Sequence, residues 1–176
     1  MLASAEREGR DAGQSAAPAT LRDNIKWIRS ILVVDDNALD ADRTVSLLRV
    51  VCGYDVAIAS ARTVAKALAE VRQAMPDVVL LDDILSRTDR AEVTIPMLRR
   101  MQYAGPIVVI TGFVTRERWR ELIDLGALAA LCKDDIDGNS LRQLLSATIG
   151  RGAAVRATSL PPEPPITGRG AVRRCA

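Results

Sequence analysis

The stretch Ile31-Leu32-Val33-Val34-Asp35-Asp36-Asn37 constrains the fold more than any other. Four apolar residues in a row, mostly β-branched, read as a strand buried on both faces, the habit of a parallel sheet. Two carboxylates and an Asn follow at once. At the carboxyl end of such a strand they stand where open α/β sheets bind ligands. Adjacent acids repel unless protons or a cation compensate them, and a hard divalent cation such as Mg²⁺ suits oxygen ligands. A strand followed by a turn or helix cap is the competing account, since Asp and Asn favour both.

The same pattern recurs along the chain. Val78-Val79-Leu80-Leu81 runs into Asp82-Asp83, and Ile107–Ile110 runs into Thr111-Gly112. Leu128–Cys132 is a shorter apolar run that delivers Lys133, and Asp55–Ser60 is a short strand without such an ending. Helical periodicity fills the intervals: Ala38–Val51 with a stripe of Leu39, Val45, Leu48 and Val51; Arg62–Ala74; Thr115–Leu125; and Asn139–Ile149. A helix is also predicted from Pro96 to about Gln102, with Thr94 as its cap. Strand and helix thus alternate five times. Short connections force parallel strands with right-handed crossovers, so the expected fold is α/β, a five-stranded doubly wound parallel sheet.

Three regions are expected: an N-terminal extension over 1–29, disordered or partly helical; a folded domain over 30–150; and a disordered Pro- and Arg-rich tail over 151–176. The domain carries 14 basic and 17 acidic groups, the tail five Arg and one Glu. That balance predicts no nucleic-acid binding by the domain itself. No apolar run is long enough for a membrane span and no signal peptide is visible, so a cytoplasmic location is expected. Cys52, Cys132 and Cys175 are widely spaced, which suggests neither a disulfide framework nor a zinc site. The chain has no histidine, which removes imidazole bases, imidazole metal ligands and phosphohistidine from its own chemistry. Lysine is scarce: Lys26, Lys66 and Lys133 are the only three.

The carboxyl edge of the predicted sheet therefore receives Asp35 and Asp36, Asp82, Thr111 and Lys133, one set from each of four strands. Asp36 and Asp82 can share a Mg²⁺, with Asp35 holding a metal-bound water. A carboxylate can act as nucleophile toward phosphorus. Lys133 then pairs with a phosphoryl oxygen as a point charge, and Thr111 donates to another. Val33-Val34-Asp35-Asp36, Leu80-Leu81-Asp82, Ile110-Thr111-Gly112 and Cys132-Lys133 together resemble the response-regulator receiver domain of two-component signalling, over about residues 30–149. The resemblance implies a flavodoxin-like (βα)₅ fold. It also implies Asp82 as phosphoacceptor, Mg²⁺ on Asp35, Asp36, Asp82 and the Ile84 backbone carbonyl, and Thr111 and Lys133 as phosphoryl-binding and switch residues. Ile84 and Phe113 take the positions that control water access; both are apolar, which predicts slow loss of the phosphoryl group. Asp83 is the rival acceptor.

Three departures from the family pattern stand out. Lys133 is followed by Asp134, not Pro; Ser86-Arg87-Thr88-Asp89-Arg90 replaces the usual turn after the acceptor; and Ala130 stands where an aromatic is common. The expected function is a stand-alone regulator that takes a phosphoryl group from a histidine kinase or histidine phosphotransfer protein. Its catalysis is limited to its own phosphorylation and dephosphorylation. Output is expected through contact with a downstream protein or a homodimer, on the face of the fourth helix, fifth strand and fifth helix; Trp119 belongs either to that surface or, equally, to half-buried packing. The alternative is a degenerate receiver that binds partners without phosphorylation. A Mg²⁺-dependent hydrolase is disfavoured, because such enzymes use a second Asp two residues after the nucleophile and Ile84 stands there.

Overall fold

The computed structural model describes residues 27–152 and 173–174. β1 (Ser30–Val34) leads into α1 (Ala38–Cys52), β2 (Ala57–Ala61), α2 (Val64–Ala74) and β3 (Val78–Asp82). α3 (Ala91–Arg100), β4 (Ile107–Thr111), the two-residue β5 (Phe113–Val114), α4 (Arg116–Asp124) and β6 (Ala129–Cys132) follow. A 3₁₀ turn (Lys133–Asp135) and α5 (Gly138–Gly152) complete the domain. The sheet is parallel with order β2-β1-β3-β4-β6. Chain order reverses between β1 and β3, and the cleft at such a switch point is where doubly wound sheets place ligands.

Two apolar layers sandwich the sheet. Ile31, Val33, Leu80 and Val108 pack with Leu48 of α1 and Leu141 and Leu145 of α5. Leu32, Val34, Leu81 and Val109 face the other way, against Val71 of α2, Ile95 of α3, and Trp119 and Leu122 of α4. Burial on both sides explains the unbroken apolar runs of β1, β3 and β4. Asn37 caps α1 by accepting from the Leu39 amide at 3.0 Å, and Thr63 and Thr115 cap α2 and α4 in the same way. Gly126 follows α4 at φ 100°, a conformation that disfavours any side chain.

Several local expectations are corrected. α3 begins at Ala91, not at Pro96, and Pro96 lies inside it. Ala91, Ile95 and Leu98 form a fully buried stripe, and the Ala91 amide is anchored on the Asp83 carbonyl at 3.0 Å. Burial of that stripe outweighs the proline signal, and Thr94 becomes a buried helix residue instead of a cap. Leu39, expected on the core stripe of α1, is exposed; Leu48 of that stripe is buried as expected, and Ala41 and Thr44 are buried beside it. Trp119 is 3% exposed and belongs to the core, so it offers no contact surface. Cys132 is buried and disulfide-bonded, where the spacing of the cysteines suggested no disulfide framework, and Cys52 is a free thiol. Of the two terminal regions, residues 1–26 and most of the tail lie outside the described residues; Arg173–Arg174 pair antiparallel with Phe113–Val114.

Candidate functional site

Alternation along β3 sends two neighbouring acids to opposite faces. Val78 and Leu80 belong to the layer under α1 and α5, Val79 and Leu81 to the layer under α2, α3 and α4. By the two-residue period of a strand, Asp82 takes the first side and Asp83 the second. The neighbouring strand ends follow the same parity. Asp35 continues the Ile31 and Val33 row, and Thr111 continues the Val109 row.

On the α1 side, Asp35, Asp36 and Asp82 bring carboxylate oxygens within 4.8 Å of one another. Asp35 and Asp82 are buried and Asp36 is exposed. The Asp35 Oδ1 accepts from the Asn37 amide at 2.9 Å, and Arg62 donates to the Asp36 carbonyl at 3.0 and 3.2 Å. These bonds hold the turn that follows β1. Lys133 reaches in from the end of β6. Its Nζ donates to Asp35 and Asp82 at 3.0 Å each and to Asp40 at 3.1 Å. An ammonium has three donors, so every one is engaged. Four carboxylates around a single ammonium leave an excess of negative charge on hard oxygen donors. That donor set fits a divalent cation such as Mg²⁺.

Burial raises the Asp82 pKa to about 6; the bond from Lys133 lowers it only in part, and the Asp35 charge raises it further. Burial works against the Lys133 charge, but the bonds to Asp82, Asp35 and Asp40 outweigh it and hold the ammonium above its ordinary pKa. The 3₁₀ turn at Lys133–Asp135 replaces the family's Lys-Pro turn, and Asp134 and Asp135 are exposed. The acid that competes for Lys133 is instead Asp40, from the first turn of α1.

On the other side, Asp83 is buried and gripped by Arg118 of α4. Arg118 Nε donates to Asp83 Oδ2 at 3.1 Å, and Nη2 donates to Asp83 Oδ1. Arg118 Nη1 also donates to Glu92 of α3 and Glu121 of α4. The bonds that Arg118 donates to Asp83 and Glu92 hold its pKa above the usual value, and the Arg118 bond lowers that of Glu92. The Thr111 hydroxyl belongs to this group. It donates toward Asp83 Oδ2 and the Phe113 carbonyl, both at 3.0 Å, and accepts from the Phe113 amide at 3.2 Å. The structure thus brings Asp35, Asp36, Asp82 and Lys133 together and places Thr111 on Asp83. Ile84 and Phe113 are 45% and 50% exposed and line the cleft that holds Asp82 and Lys133. The Ile84 amide approaches Asp82 Oδ1 at 3.5 Å.

The response regulator receiver domain family matches residues 31–146. The chain belongs to that family. This receiver is 35% identical over 115 residues to the transcriptional regulatory protein ZraR of Salmonella typhimurium, across 65% of this chain and 25% of that protein. It therefore spans about a quarter of that relative's length. Among solved structures, the signal receiver domain of a DNA-binding response regulator from Colwellia psychrerythraea superposes with a TM-score of 0.61 at 22% identity. The match covers 69% of this chain and 98% of that one. A CheY-like receiver domain protein from Methanospirillum hungatei gives 0.60 at 22% identity, over 72% and 97% of the two chains. These structures share the fold.

Two site residues escape a reading of the sequence. Asp40 carries a weak signal, four residues after Asp36 at a helix start, and reads there only as a partner of the helix dipole. Arg118 carries none: its link to Asp83 spans 35 residues of chain and depends on how α4 docks.

Proposed function

We propose that this receiver accepts a phosphoryl group on Asp82 from a histidine kinase or histidine phosphotransfer protein. Mg²⁺ would be held by Asp35, Asp36, Asp82 and the Ile84 carbonyl. The observation that carries the reading is the meeting of three strand-end carboxylates with the Lys133 ammonium in one cleft. An Asp82 oxygen attacks phosphorus, the new P–O bond forms as the P–N bond to the donor imidazole breaks, and the imidazole nitrogen leaves with the electron pair and takes a proton. Bound Mg²⁺ supplies neutralisation of charge on the transferring oxygens. Lys133 releases one carboxylate to donate to a phosphoryl oxygen. Thr111 can serve that group only after leaving Asp83.

The chemistry is confined to phosphorylation and dephosphorylation of the chain itself, in the cytoplasm. Among the described residues no helix is long and apolar enough to cross a membrane. Output as a stand-alone regulator would run through a downstream protein, or a second copy, docking on the face of α4, β6 and α5. Incubation with Mg²⁺ and acetyl phosphate tests the proposal. Phosphate is expected on the wild-type chain and not on D82N, read by retarded mobility on a phosphate-affinity gel. An unlabelled wild-type chain, or a D82N chain labelled equally well, refutes it.

A second reading draws on a specific observation: all three Lys133 donors and the Thr111 hydroxyl are already engaged by carboxylates. A receiver closed in this way could serve as an interaction module without phosphorylation. Partner binding that is unchanged in D82N and insensitive to beryllofluoride would favour it.

A further inference from the structure

Asp83 stands one residue beyond the proposed acceptor, faces the opposite layer, and holds the hydroxyl that the acceptor's phosphoryl group requires. We infer that Asp83, fixed by Arg118, is a positioning residue that withholds the Thr111 hydroxyl from the phosphoryl site. The inference rests on the phosphoryl-acceptor reading and adds a control element to it.

Four features carry it. Thr111 has one hydroxyl proton, so the Asp83 carboxylate, the Phe113 carbonyl and a phosphoryl oxygen compete for it, and the carboxylate is the charged one of the two acceptors it already faces. Its bond to Asp83 Oδ2, at 3.0 Å, is charge-assisted and buried, and such bonds are roughly twice as strong as neutral ones. Asp83 cannot follow Thr111, because Arg118 engages both of its oxygens, through Nε and Nη2. The guanidinium is itself anchored to Glu92 on α3 and Glu121 on α4. The Arg118 fork already compensates the Asp83 charge, so the Thr111 bond is surplus to structural need. Its consequence is competition: engaging a phosphoryl group breaks a buried bond.

The test is calorimetric titration of the full chain with beryllofluoride and Mg²⁺, for the wild type, D83A, D83N, T111V and D83A/T111V. Removing the Asp83 carboxylate leaves Arg118 paired with both glutamates. D83A is expected to bind about tenfold tighter than wild type, the factor that corresponds to one charge-assisted bond. D83N is expected to show a smaller gain, and the gain is expected to vanish when Thr111 is Val. A residue of purely structural importance would lower the melting temperature without any gain that depends on Thr111. If D83A does not fold, D83N alone decides. Wild-type affinity in a folded D83N, or a gain that survives T111V, overturns the inference and leaves the acceptor reading standing. No beryllofluoride binding by the wild type or any variant overturns both.

Discussion

Two carboxylates adjacent in the chain, Asp82 and Asp83, live in opposite electrostatic settings. Asp82 shares a single-point ammonium with Asp35 and Asp40, in a cleft lined by half-exposed Ile84 and Phe113. Asp83 is held by both arms of a guanidinium whose own fork is closed by two glutamates. An ammonium is a compact charge that exchanges partners readily, whereas a bidentate guanidinium fixes geometry. The difference teaches that how rigidly an acid is held at one strand end follows partner geometry more than residue type. The same side chain is exchangeable on one face and locked on the next.

The largest expected effect that would break this comparison comes from the locked side. R118A leaves Asp83 buried without its cation and is expected to cost about 3 kcal/mol of stability by chemical denaturation. K66A, which removes an exposed pair with Glu70 on α2, provides the scale and is expected to cost at most about 0.5 kcal/mol. Equal losses in the two variants would show that the Arg118 fork is not the anchor proposed. K133A comes next, at about 2 kcal/mol, because its ammonium is partly solvated and the loss is discounted accordingly. Added Mg²⁺ is expected to raise the melting temperature of K133A more than that of the wild type, since the cation replaces the lost charge.

A subtler contrast lies in pH. Burial holds the Asp82 pKa at about 6, above its value in an unfolded chain, so the folded state binds that proton more tightly. Metal-free stability is therefore expected to fall as pH rises from the ordinary carboxylate range to about 6, and to level off above it. D82N is expected to lack this limb in a pH series of melting curves; a slope that persists in D82N assigns it to another group. The smallest effect is kinetic. With apolar Ile84 and Phe113 at the cleft, an attacking water finds few partners, so the phosphorylated chain is expected to lose its label over minutes. Phe113→Gln is expected to hasten that loss, followed by decay of the labelled band.

Much of the site was legible before folding. The apolar runs ending at Asp35, Asp82 and Thr111 announce strands buried on both faces, and a parallel order assembles their polar ends at one edge. Pro96 misled because a local start signal lost to the buried stripe of Ala91, Ile95 and Leu98. Leu39 misled because its helical spacing points it away from the sheet. Trp119 could not be placed by pattern, since a wide helix face can meet either core or solvent.

By itself the sequence determined the strand periodicity, the alternating order of elements and the residue types delivered to each strand end, because all three are properties of a few contiguous residues. Only the tertiary structure decided who partners whom. Lys133 meets Asp40 as well as Asp82, and Thr111 meets Asp83 under the grip of Arg118. Those pairings join residues 28 to 93 positions apart, and they exist only once helices have docked on both faces of the sheet.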